Sequence, residues 1–178
     1  MRCYHINNFY LAGIHAGIQS AHAQHEMAIK YLDDYSGASS QAKADYLTWA
    51  KLHKTIIVLN GGMQSDLQSF KELLENPDNP YAWSAFHESE EALNGALTNL
   101  GLVLPESMYA FTPMIMKFQA QLAEDIQPLE MVFPVGAGQL IKVRQDRKRL
   151  SVKTESTTYW YSPFDLALLS RLSACKLM

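Results

Sequence analysis

Five consecutive residues, Thr55-Ile56-Ile57-Val58-Leu59, run without a polar side chain after the first and stop at Asn60-Gly61-Gly62. β-Branched side chains are stiff in a helix and pack well on a pleated surface, so the run predicts a strand. Because it is apolar at every position rather than at alternate ones, it predicts a strand covered by helices on both faces. The Asn-Gly-Gly sequence supplies the turn that ends it. Helical patterns stand on either side, which places the first part of the chain in the α/β class.

Before this run, Tyr4 and Ile6 alternate with polar neighbours and predict a first strand over about 2–7. From Gly13 to about Tyr35, Ile14, Ile18, Ala21, Ala28 and Leu32 recur at three- and four-residue steps, the spacing of a core-facing helical stripe. Ser36-Gly37-Ala38-Ser39-Ser40 breaks the pattern, and Tyr46, Trp49, Ala50 and His53 mark a second helix that ends near Lys54. After the run, Ser65 is the predicted N-cap of a helix through Glu75, with Leu67, Phe70, Leu73 and Leu74 on one side. Tyr81 to Phe86 reads as a strand, Glu88 to Leu93 as a helical turn and Leu100 to Leu104 as a further strand.

Beyond Pro105 the pattern changes to a helix over about 113–126 and strands near 129–133, 139–143, 150–153 and 157–161. A last helix carries Ser162 as N-cap, Pro163 at its first position and Asp165 at its third. The expected fold is an α/β three-layer sandwich with a small mixed sheet over residues 1–107. A C-terminal β-rich extension, 108–178, is closed by a helix.

Charge follows the same division. Residues 1–107 hold 6 Lys/Arg against 12 Asp/Glu, a net of −6, whereas 108–178 hold 9 against 6, a net of +3. Hydrophobic residues make up 48% of the 178 and charged ones 19%, so disordered and low-complexity classes are excluded. No run of 18 apolar residues exists and the opening Met1-Arg2-Cys3-Tyr4-His5 has no apolar leader, so a cytoplasmic location without membrane insertion is expected. Cys3 and Cys175 lack a CxxC spacing, which argues against a structural zinc site and a disulfide framework.

On the first helix, His15, Gln19, His22 and Glu26 are separated by 4, 3 and 4 residues. At ~100° per residue they lie within roughly 60° of one another, at the edge of the expected helix–sheet contact. Amphipathic helices carry polar residues at such an edge as a matter of course, so spacing alone does not make this a site. His22, His25 and Glu26 offer ligand atoms, but no second cluster joins them, and neither a metal nor a cofactor is expected.

Gln19-Ser20-Ala21-His22-Ala23, on a helix after a first strand, resembles the Gln-Cys-(Ala/Ser)-His-Ala signature of type 2 peptidyl-tRNA hydrolases, particularly shortened bacteriophage relatives. Asn94-Gly95-Ala96-Leu97-Thr98 stands in the place of that family's Asp-(Ala)-Gly-x-Thr, and the helices and strands between follow in the same order. The likeness covers about residues 1–107. It implies hydrolysis of the ester between a peptide and tRNA, in a host cytoplasm if the chain is phage-encoded, with His15, Gln19, His22, Asn94 and Thr98 as the catalytic set. Two positions depart from the family: His15 replaces a lysine four residues before the glutamine, and Asn94 replaces an acid four before the threonine. Histidine is a competent base near neutral pH. Asn94 is not a base but can position a water. Among His87, Glu88, Glu90 and Glu91, one carboxylate could replace the missing acid, although an acidic first helical turn is also what a helix dipole favours.

In the extension, Lys142, Arg144, Arg147, Lys148 and Arg149, with Lys153, surround a turn near Gln145-Asp146, and Tyr159-Trp160-Tyr161 follows. Cations beside aromatics suit RNA backbone contact and base stacking. The same residues equally suit a solvated hairpin edge over a core of aromatics. The partners that follow from this reading are tRNA or a nucleotide ligand, with a homodimer left open. The competing classes are a non-catalytic RNA or nucleotide binder using the same cleft, such as a phage protein opposing host defence, and a structural or interaction protein.

Overall fold

A computed structural model describes residues 1–33, 37–123, 130–136, 139–146 and 149–178. In chain order the elements are β1 (Arg2–Asn7), α1 (Ile14–Leu32), α2 (Ser40–Thr48), β2 (Ile56–Asn60), α3 (Gln64–Leu74), β3 (Ala82–His87), α4 (Glu90–Leu93) and β4 (Leu97–Leu104). Then follow α5 (Glu106–Ala110), α6 (Thr112–Ala123), β5 (Glu130–Val135), β6 (Gln139–Asp146), β7 (Arg149–Lys153), β8 (Thr158–Tyr161), α7 (Pro163–Ala174) and β9 (Lys176–Leu177). The chain divides into Met1–Glu106 with Ala174–Met178, and Ser107–Ser173.

The first unit is α/β. Its five-stranded mixed sheet has the order β3-β4-β1-β2-β9, with β1 and β2 parallel and the other pairs antiparallel. Helices α1 and α2 cover one face, where Met27, Tyr31, Ala42, Tyr46 and Trp49 pack with Cys3, Ala82 and Val103. Helix α3 covers the other, bringing Leu67 against Ile6 beside Gly61. A wide helical turn at Trp49–His53 continues α2, and the Trp49 indole donates to the Thr55 carbonyl at 2.8 Å, fixing the entry to β2.

Four expectations change. The Ile14, Ile18 and Leu32 stripe of α1 faces solvent, with Ile14 76% exposed; the buried stripe is Ala16, Gln19, Ser20, Ala23, Met27 and Tyr31. The reason lies in the sheet. The residues of β1 and β4 under α1 include His5, Asn7 and Asn99, all fully buried, so the helix face that meets them carries small and polar side chains. Strand β2 is not covered on both faces throughout: Ile56 is half exposed and, of the strand, only Leu59 is buried, while β9 lengthens the sheet along its edge only at Leu59 and Asn60. Helix α3 starts two residues earlier than expected, with Met63 at the cap: the Met63 amide donates to Asp66 Oδ2 at 2.9 Å, and Ser65 is inside the helix. Strand β4 begins at Leu97, so Thr98 lies inside the sheet.

In the second unit β5-β6-β7-β8 form an antiparallel meander. Ile141, Val143, Leu150, Val152 and Tyr161 point inward and are buried, as are Ile115 and Phe118 of α6 and Phe164, Leu168 and Leu169 of α7. The predicted cap of α7 is present: the Ser162 amide donates to Asp165 Oδ2 at 2.7 Å and the Asp165 amide donates back to Ser162 Oγ at 3.2 Å. No helix among the described residues is long and apolar enough to cross a membrane.

Candidate functional site

Strand β4 carries one residue more than β3 at its start. Phe86 faces Asn99 but His87 faces Leu97, which leaves Thr98 as the extra residue of a bulge. A bulge turns a side chain out of the strict alternation of a strand. Here Thr98 Oγ1 donates to Gln19 Oε1 of α1 at 2.7 Å, with the Phe86 carbonyl 3.3 Å away. At its other end the Gln19 amide donates from Nε2 to Glu88 Oε1 at 2.5 Å. Thr98 and Gln19 are buried while Glu88 is half-buried, so the line Thr98–Gln19–Glu88 runs from the core to the surface.

His22, one turn further along α1, is exposed and lies flat on the Phe86 ring, with centroids 4.5 Å apart and planes within 12°. Phe86 thus holds His22 with its ring and borders Thr98 with its carbonyl. No hydrogen bond engages the His22 ring nitrogens among the described residues, so they can reach a ligand. His15, in the first turn of α1, is exposed one turn before Gln19. Asn94 caps α4 in a left-handed conformation with φ at 50°, its amide bonded to the Glu90 carbonyl. Its side chain is exposed and makes no hydrogen bond with Gln19 or Thr98 among the described residues. The structure therefore joins Gln19 and Thr98, with His22 beside them through Phe86. The carboxylate bonded to this pair is Glu88, from the connection between β3 and α4. His25 turns back to the Ala21 carbonyl of its own helix at 2.8 Å.

Behind the site lies a buried polar network. Asn99 Nδ2 donates to Asn7 Oδ1 at 2.9 Å and lies 3.3 Å from Ser20 Oγ; Ser20 Oγ donates to the Ala16 carbonyl at 2.7 Å. His5 Nδ1 is 3.0 Å from Asn99 Oδ1, and its Nε2 is 3.5 Å from Cys3 Sγ. Burial pushes the His5 imidazole below its ordinary value, against the opposing effect of its bonds to Asn99 and Gln24. Burial also pushes the Cys3 thiol up to about 12, so it is a structural thiol rather than a nucleophile. Sequence reasoning missed this network because Tyr4 and Ile6 carried the alternation. The signal was present in the other register, Cys3-His5-Asn7, one residue out of phase.

The aromatics of the extension divide by strand alternation. Tyr161 is buried, its hydroxyl donating to the Ser107 carbonyl at 2.5 Å, and Tyr159 packs on Phe111 with centroids 5.2 Å apart. Trp160, between them, is 56% exposed on the opposite face. Lys142, Arg144 and Arg149 are exposed on that outer face, while Arg147 and Lys148 lie outside the described residues.

No family model matches the chain, and none of the curated proteins matches it at a significant level.

Proposed function

We propose that the first unit hydrolyses the ester joining a peptide to the 3′ ribose of tRNA, the reaction implied by the resemblance of its Gln19 to His22 and Asn94 to Thr98 segments to type 2 peptidyl-tRNA hydrolases. The observation that carries this reading is the Thr98–Gln19–Glu88 line. It anchors a carboxylate beside the glutamine and histidine, although the position of the family's acid holds Asn94.

In this scheme Glu88 takes a proton from a water that attacks the ester carbonyl carbon. The Gln19 amide, fixed by Thr98, holds that carboxylate in one orientation. The remaining Nε2 hydrogen of Gln19 and the ring of His22 are the nearby donors for the carbonyl oxygen as it gains negative charge. The carbon–oxygen bond to the ribose then breaks, and the 3′ oxygen leaves with a proton given up by a His15 imidazolium, which returns to neutral imidazole; the proton taken by Glu88 passes back through solvent to His15 and restores both groups. The products are a peptide acid and a tRNA with a free 3′ hydroxyl. This gives His15 the acid's part rather than the base's, because the hydrogen-bonded base is Glu88.

A single-turnover assay on an N-acylated aminoacyl-tRNA tests the reading. Release of the acyl amino acid by the full chain, with a loss of ~10²- to 10⁴-fold in Glu88→Gln, supports it. No release by the unaltered protein overturns it. The exposed, non-basic Asn94 favours the second reading, a non-catalytic binder of RNA or nucleotide using the same cleft.

A further inference from the structure

The outer face of the four-stranded sheet is built differently from a solvated edge. Its cross-strand rows follow from register: Trp160 faces Ser151, Ser151 faces Arg144 and Arg144 faces Glu130, while in the next row Thr158 faces Lys153 and Lys153 faces Lys142. Neighbouring strands are about 4.8 Å apart, so Trp160 and Arg144 stand roughly 10 Å from each other across a small serine. A depression of about 300 Å³ lies there, walled by the Trp160 indole and floored by Ser151, with Arg144, Lys142 and Lys153 around it.

Two features of this face work against the stability of the protein by itself. Lys142 and Lys153 are directly opposed on one side of an antiparallel pair, an arrangement that repels. Lys142 is offset by Glu130 at 3.4 Å, but no ion pair holds Arg144, Arg149 or Lys153 among the described residues. An indole is also left half in water on the edge strand β8 of this face, although its two neighbours in sequence are packed away. Four cations, Lys142, Arg144, Arg149 and Lys153, face two acids, Glu130 and Asp146. A ligand that relieves both features is anionic at close intervals and offers flat rings.

We infer that this face binds single-stranded nucleic acid, with an unpaired base stacked on Trp160 and successive phosphates on Arg144 and Lys153. A duplex does not satisfy it, because its bases are already stacked on one another and turned away from an indole that lies in a sheet. A stretch of separate bases does, since every base presents a π-face and stacking is tolerant of sequence. The inference concerns a unit distinct from the proposed hydrolytic site and does not depend on ester cleavage.

The test uses the full chain with a fluorescein-labelled oligouridine of about twelve nucleotides, within the ~4 to 16 nucleotides that such surfaces occupy. Oligothymidine and an RNA duplex of equal length are compared under the same salt. Binding is expected to quench indole emission, to be weaker for the duplex, and to fall about tenfold or more in Trp160→Ala with recovery in Trp160→Phe. Replacing both Arg144 and Lys153 by alanine should reduce the slope of log affinity on log salt by about 1.4, the release expected for two phosphates on a single strand. Trp160 is exposed, so circular dichroism of Trp160→Ala should match the unaltered chain. A Trp160→Ala protein that binds the oligonucleotide as tightly as the unaltered chain overturns the stacking site. Equal or better binding of the duplex overturns the choice of ligand. No binding with concentration-dependent dimerisation would make the face an interface between copies instead. Because no ester is present, none of these results bears on hydrolysis.

Discussion

Thr98 Oγ1 donates to Gln19 Oε1 across 2.7 Å, joining a bulged strand and a helix that are 79 residues apart in the chain. Both side chains are buried, so the bond is made where neither partner can turn to water instead. Thr98→Val keeps the shape but leaves the glutamine oxygen without its donor, and should cost about 1–3 kcal/mol of unfolding free energy. Thr98→Ser should recover most of it. Urea denaturation of the three proteins checks this; an unchanged midpoint in Thr98→Val would show the bond to contribute nothing.

Helix α1 offers a second test, because its sequence contains two stripes with helical spacing. Ile14 and Ile29 are 76% and 66% exposed, so Ile14→Gln or Ile29→Gln should change stability by less than about 0.5 kcal/mol. Met27 is fully buried, and Met27→Ala should cost about 2–5 kcal/mol. If the isoleucine variants are the destabilised ones, the helix is rotated relative to this description.

That helix also shows what was legible in the sequence. Most strands and helices, the turn at Asn60-Gly61-Gly62 and the cap at Ser162 were readable because each rests on local chemistry, whereas the short α5 and β9 were not read. The face of α1 was not. Periodicity reports that a stripe is apolar, and it does not report what the sheet opposite presents. Here the sheet presents Asn7, His5 and Asn99, so a stripe of alanine, serine and glutamine is the one that fits. Gln19, His22 and Thr98 were identifiable as site candidates from their motifs. Glu88 was only one of several acids, because its selection depends on a bulge that no spacing in β3 or β4 reveals.

The buried His5 makes stability depend on pH with a definite sign. Its imidazole is held below its ordinary value mainly by burial, so the unfolded chain binds the proton more readily than the folded one. Stability therefore falls as pH drops through the ordinary histidine range towards the lower native value, and is fully regained above that range. His5→Gln, which retains a hydrogen-bonding side chain beside Asn99, should flatten the dependence between pH 7.5 and about 5. His87 is shifted in the same direction but is exposed, so His87→Asn should flatten it less. Unfolding curves across that interval with equal slopes for His5→Gln and the unaltered protein would remove His5 as the source.

Gly61 marks the closest approach of β2's end to α3 and β1. A Cβ there would stand 2.3 Å from Ile6 Cγ2 and 2.9 Å from Leu67 Cδ1, both in the packed layer under α3. Gly61→Ala should destabilise by about 1–3 kcal/mol, the usual cost of overfilling a core. Gly17, with open space around its position, is the control: Gly17→Ala lies inside α1 and should stabilise slightly. Equal melting temperatures for the two variants would contradict the packing described.

The two candidate carboxylate positions separate the hydrolytic readings. Were the residue four before Thr98 the working one, Asn94→Asp should restore the family's acid and raise the rate of ester cleavage. The structure gives that position a left-handed helix cap with an exposed side chain, and gives Gln19 a hydrogen bond to Glu88 instead. On the proposal made above, Asn94→Asp should leave the single-turnover rate within about threefold, whereas Glu88→Gln removes the base and should lower it by ~10²- to 10⁴-fold. Glu88→Gln still offers Gln19 an oxygen acceptor, so folding should be retained and the loss assigned to the proton-accepting oxygen. Substrate affinity, measured by filter binding of the uncleaved acyl-tRNA, should change little in either variant. A large gain in Asn94→Asp together with a small loss in Glu88→Gln would move the base to the family's position and leave Glu88 as a support for Gln19.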